Sequence, residues 1–153
     1  MKGFTLIELI LVIGILGILG GIGFGVYYNF QTNVKVEEEA NKIVEILRGT
    51  QQKAISGENL NQWGIRFVNS TSSQYYDVFE GGNYLTGTST ERNYLPESVI
   101  FINPSTSSTI DTIFNIRSGN AATSSNIIIT ITSSVSSSTK NITITPRGLI
   151  SRD

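Results

Sequence analysis

Neither cysteine nor histidine occurs anywhere in the 153 residues. The first absence excludes structural disulfides and thiolate metal sites. The second removes the commonest general base and the commonest metal ligand together. Serine is abundant, but without histidine the usual route to an activated hydroxyl nucleophile is missing. Charge is sparse as well: 11 Lys and Arg stand against 12 Asp and Glu, a net of −1. Such a balance argues against a nucleic-acid binder, which carries a basic patch. Asp77, Glu80, Glu91, Glu97 and Asp111 are scattered, with neither a calcium-loop pattern nor the tight spacing of a catalytic pair. They read as solvated surface charge. No catalytic residue, cofactor or metal is expected, and the chain does not read as an enzyme.

What the chain does have is unevenly placed. From Leu9 to Tyr28 there is no charged residue and nearly every side chain is apolar, whereas beyond residue 60 Ser, Thr and Asn dominate. About twenty apolar residues, rising about 1.5 Å each, cover the roughly 30 Å hydrocarbon core of a bilayer. A secretory signal peptide would be shorter and end in a small-residue cleavage site. Here Tyr27-Tyr28-Asn29-Phe30 follows instead, an aromatic interface leading into more helix. The run alone supports only a membrane anchor. Glu8 is what an anchor leaves unexplained, because a carboxylate at the edge of an apolar helix costs on the order of a few kcal/mol unless it reaches water or a partner.

The first nine residues, Met1-Lys2-Gly3-Phe4-Thr5-Leu6-Ile7-Glu8-Leu9, resemble the processing signal of type IV pilins and type II secretion pseudopilins. That signal is a short basic leader ending in Gly, followed by Phe-Thr-Leu-Ile-Glu and an apolar helix. The resemblance implies cleavage between Gly3 and Phe4 by a prepilin peptidase at the cytoplasmic face, and methylation of the new amine on Phe4 by the same enzyme. It further implies that Glu8 pairs with the N-terminal amine of a neighbouring subunit during assembly. The physics agrees: in a fibre core of apolar helices a buried carboxylate is tolerated only beside a cation, and a freed α-amine is the nearest one.

Gly17, Gly21 and Gly25 recur every four residues and would make a small-residue stripe for close helix packing. Ordinary glycine enrichment of membrane helices explains them equally well. Beyond the apolar run, Val36, Ala40, Ile43, Leu47 and Ala54 form one apolar stripe at helical spacing. Gly57 is a stop signal, with Lys53 well placed in the last turns. One helix from Phe4 to about Ser56 would be on the order of 80 Å long. Glu37-Glu38-Glu39 reads as a solvated face, with salt bridges between fibre subunits as the sharper alternative.

After Gly57 short period-two runs alternate with Ser/Thr/Asn-rich turns. Trp63 to Val68, Gln74 to Phe79, Val99 to Ile102, Ile110 to Ile116, Ile127 to Thr132 and Asn141 to Thr145 are the strand candidates. Ile127-Ile128-Ile129, apolar on both faces, suits an interior strand. Asn69-Ser70-Thr71 and Asn141-Ile142-Thr143 match glycosylation sequons, a frequent accident in such composition. The expected fold is therefore α+β and pilin-like, a long N-terminal helix laid by its second half on an antiparallel sheet or small two-sheet head. The expected divisions are a leader (1–3), a hydrophobic transmembrane and fibre-core helix (4–30), its amphipathic continuation (31–57) and a β-rich head (58–153).

Residues 51–57, Trp63-Gly64-Ile65-Arg66-Phe67 and Ile142 to Gly148 are similar to H-type minor pseudopilins. The resemblance implies a structural, minor subunit of a type IV pilus or secretion pseudopilus. Its partners would be prepilin peptidase, other pilin subunits, an inner-membrane assembly platform and the bilayer. It would sit in the bacterial inner membrane as a single pass, head outside the cytoplasm, before joining a fibre. The alternative is a DNA-uptake minor pilin, for which Arg147 and Arg152 are the close basic pair near the C-terminus.

Overall fold

The computed structural model describes residues 3–153, apart from the side chains of residues 22–26. One helix, α1 (Leu6–Ser56), is followed by a short 3₁₀ turn and eight strands. These are β1 (Trp63–Asn69), β2 (Gln74–Glu80), β3 (Thr88–Tyr94), β4 (Val99–Asn103), β5 (Ser108–Phe114), β6 (Ile127–Ser133), β7 (Thr139–Ile144) and β8 (Ile150–Arg152). The strands form two antiparallel sheets, ordered β3-β2-β1-β5 and β4-β6-β7-β8. This is the α+β, pilin-like arrangement, with the second half of the helix packed on a two-sheet head.

The helix stops where its chemistry changes. Gly57 sits at φ 71°, ψ 32°, the left-handed conformation that lets the last turn close, and its N–H donates to the carbonyls of Lys53 and Ala54. The apolar stripe read from the sequence is the packing face: Val36, Ala40, Ile43, Leu47 and Ala54 are all at most 1% exposed. Trp63, Ile65 and Phe67 of β1 meet this stripe from one sheet, and Ile129, Ile131, Ile142 and Ile144 from the other. Both sheets and the helix thus share one core. The interior also holds polar groups, among them buried Asn69, which donates its side-chain N–H groups to the carbonyls of Phe101 and Pro104, at 3.1 and 2.8 Å. That burial removes Asn69 as a glycosylation acceptor. Asn141 is partly buried, and its Oδ1 accepts from the Thr130 hydroxyl at 2.9 Å.

Several expectations need correcting. β3 reads Thr-Ser-Thr-Glu-Arg-Asn-Tyr and gives no apolar alternation, because it is an edge strand with six of its seven residues exposed. β8, three residues long, is below the length at which a period can be read. β6 is interior in its sheet, yet Ile128 is 44% exposed, so only one face of that strand is buried. The acidic run is not one solvated face. Glu37 bonds Lys140 (3.0 Å) and Arg152, Glu38 is exposed, and Glu39, buried, accepts from the Tyr76 hydroxyl at 2.9 Å. These ion pairs are within one chain. Nor is Asp77 solvated: its side chain is fully buried.

Asp77 belongs to a row that crosses all four strands of its sheet. The register sets Arg92 opposite Asp77, Asp77 opposite Arg66, and Arg66 opposite Asp111, so charge alternates from one edge to the other. The Tyr84 and Ser89 hydroxyls donate to Asp77 at 2.8 and 2.6 Å, and Arg92 Nη2 donates at 2.7 Å. Burial by itself would raise the Asp77 pKa, but the bonds from Ser89, Arg92 and Tyr84 outweigh it and hold the carboxyl below its usual range.

Candidate functional site

The residues singled out in the sequence gather where the chain enters α1. Gly3 and Phe4 lie outside the helix and are exposed, Phe4 by 84%. Their peptide bond is therefore not locked into the helical hydrogen-bond ladder. A Cβ on Gly3 would meet nothing within 4 Å, so nothing inside the described chain requires glycine there.

Thr5 caps the helix at φ −83°, ψ 152°, and does so reciprocally with Glu8. The Thr5 hydroxyl accepts the Glu8 N–H at 3.4 Å, and Glu8 Oε2 accepts the Thr5 N–H at 2.9 Å and the Thr5 hydroxyl at 2.8 Å. This capping box satisfies donors that a helix start otherwise leaves open. Both bonds fall on Oε2, and Oε1 accepts nothing among the described residues. The Thr-x-x-Glu spacing of Thr5 and Glu8 is the sequence signature of such a box.

Thr32 is buried, and Asn33 beside it accepts from the Ser136 hydroxyl of the head at 2.5 Å. Upstream, residues 6–31 extend the helix by roughly 39 Å. Every large apolar side chain from Leu6 to Leu19 is at least 44% exposed. A helix apolar on all sides is made for burial in lipid or among other helices. Among the described residues no helix is long and apolar enough to cross a membrane. The apolar run of the sequence continues through residues 22–26, whose side chains lie outside the description.

A Cβ on Gly14, Gly17, Gly20 or Gly21 would meet nothing within 4 Å. The chain's own packing thus asks for none of these glycines, and the third member of the expected stripe, Gly25, lies outside the described residues. At the far end of α1, Gln51 donates to the carbonyls of Gly119 and Gly148, both at 2.8 Å, tying two head loops to the helix. A lone glutamine gives no periodic signal by which it could have been foreseen.

Residues 1–24 match the family model described as the prokaryotic N-terminal methylation motif. The match supports the type IV pilin and pseudopilin family, which is structural rather than enzymatic. It implies processing by a prepilin peptidase and assembly with pilin subunits, and points to a membrane-anchored precursor. No curated protein and no solved structure matches the chain.

Proposed function

We propose that this pilin-family chain is a structural, minor subunit of a type IV pilus or type II secretion pseudopilus, built into its fibre through the N-terminal helix. Residues 1–3 are the leader, 4–30 the membrane and fibre-core helix, 31–57 its amphipathic continuation and 58–153 the head. Peptidase at the cytoplasmic face cuts between Gly3 and Phe4 and methylates the Phe4 amine. The precursor stands in the inner membrane as a single pass, head outward, until the assembly platform draws it into the fibre. There Gly17, Gly21 and Gly25 let neighbouring helices approach closely. The H-type resemblance favours a minor subunit, and the chain performs no catalysis of its own.

The observation that carries this reading is the state of Glu8. Its Oε2 is satisfied by Thr5, which eases the cost of holding a carboxylate beside lipid before assembly. Its Oε1 accepts nothing among the described residues, which suits a cation brought by another subunit. In the fibre that cation is the Phe4 amine of a neighbour, and the pair is tolerated among apolar helices because charge and hydrogen bonds are both met. Glu8→Ala should leave membrane insertion unchanged and remove the protein from the sheared fibre fraction. Normal incorporation of the variant would refute the pairing.

A DNA-uptake role draws less support from the head. Arg152, half of the C-terminal basic pair, is bonded to Glu37, and Arg66 and Arg92 are bonded to aspartates. Arg117 and Arg147, exposed on the two loops that Gln51 ties together, are the cations left to that role.

A further inference from the structure

A concavity of about 400 Å³ lies between the β1–β2 turn and the link from β3 to β4. Its volume falls within the range of about 300–1,000 Å³ in which small-molecule sites occur. The turn Ser70–Gln74 contributes hydroxyls and an amide, Tyr94 and Pro96 contribute apolar walls, and Glu97 contributes a carboxylate. Among the described residues no lysine or arginine lines it.

Two details suggest a surface shaped to receive something. Gln74 Oε1 accepts the Phe101 N–H at 2.7 Å, which leaves its amide N–H groups as donors. Tyr94 is 59% exposed, yet its ring is braced. It lies 5.6 Å from the Tyr75 ring, which is itself covered by the Arg92 guanidinium at 4.5 Å. Arg92 in turn is held by buried Asp77. The ordered row of sheet charges therefore ends in an aromatic side chain at the mouth of a polar cavity.

An aromatic face beside hydroxyl, amide and carboxylate groups suits a sugar ring. The C–H face of a pyranose carries partial positive charge and stacks on the negative face of tyrosine, while its hydroxyls both donate and accept. A polyanion is poorly served, because the one formal charge in the lining is Glu97 and binding to phosphates depends on cations. We propose that this concavity binds one or two residues of a neutral glycan, with Tyr94 as the stacking platform and Glu97 and Gln74 as partners for sugar hydroxyls.

The test uses the full chain in a detergent without a sugar headgroup, titrated with maltotriose, cellotriose and chitotriose and, separately, with oligothymidylate. At least one trisaccharide should bind saturably and with little dependence on salt. Tyr94→Ala should weaken that binding at least about tenfold, a change equivalent to about 1.4 kcal/mol. Glu97→Gln, at an exposed position, should weaken it while leaving the unfolding curve in place. The proposal is overturned if none of the three sugars binds, or if both variants bind as the parent does. Binding of oligothymidylate alone, falling steeply with salt, would overturn it in favour of a nucleic-acid site.

Discussion

Replacing Asp77 with Asn keeps the shape of the side chain and removes its charge. In the native sheet Oδ1 accepts from Ser89, while Oδ2 accepts from Tyr84 and Arg92, so every partner is a donor. An amide supplies one acceptor, and although the Ser89 hydroxyl can rotate to accept one amide N–H, the negative charge that Arg92 pairs with is lost whichever way the amide is flipped. Hydrogen bonds to a charged group contribute about 1.5–3 kcal/mol each, and removing one partner of a buried pair costs about 3–5 kcal/mol. The Arg92 side chain is 41% exposed and regains water when its partner is lost, so an expected loss of about 2–4 kcal/mol is the discounted figure. The pH dependence has a defined sign. The folded-state pKa of Asp77 lies below its unfolded value, so its contribution is present above the unfolded pKa of about 3.9 and disappears as pH falls through the folded one. Urea unfolding can be followed by Trp63, the single tryptophan and 2% exposed. It should show a wide gap between parent and Asp77→Asn at neutral pH that narrows in acid. A gap below about 0.5 kcal/mol at neutral pH, within the range of ordinary surface substitutions, or one that stays constant on acidification, would refute the reasoning.

Leu47→Ala should destabilise the head by about 2–5 kcal/mol, because Leu47 is fully buried where helix and sheets meet. Leu16→Ala, at an exposed position on the first half of α1, should leave the same unfolding curve in place. Glu37→Ala removes the acceptor shared by Lys140 and Arg152. Hydrogen exchange at Ile150–Arg152 should then quicken while exchange in β1 does not.

Legibility followed burial and period. The stripe from Val36 to Ala54 could be read because one helix face is buried on both sheets, and that forces apolar residues into a 3.6-residue repeat. Trp63, Ile65 and Phe67 could be read because one face of β1 is buried, which forces alternation. β3 obeys neither constraint: it is an edge whose side chains mostly meet water, so its sequence carries no period. The row Arg92-Asp77-Arg66-Asp111 was hidden for a different reason. Its members come from four strands, and only the register of pairing brings them together, so along the sequence Asp77 and Asp111 stand as scattered acids. At the N-terminus the reverse holds. Gly3, Phe4 and Glu8 lie within six consecutive residues, and local spacing is what a sequence displays best. Nothing within the described chain crowds Gly14, Gly17, Gly20 or Gly21, so its own packing does not account for them.

The central claim is that the chain is cut and modified at the boundary between Gly3 and Phe4 and then assembled. Intact-mass and N-terminal fragment mass spectrometry of the native membrane and fibre fractions tests it most directly. The expected product begins at Phe4 and carries a methylated amine. A membrane-bound product that still begins at Met1 would contradict the claim.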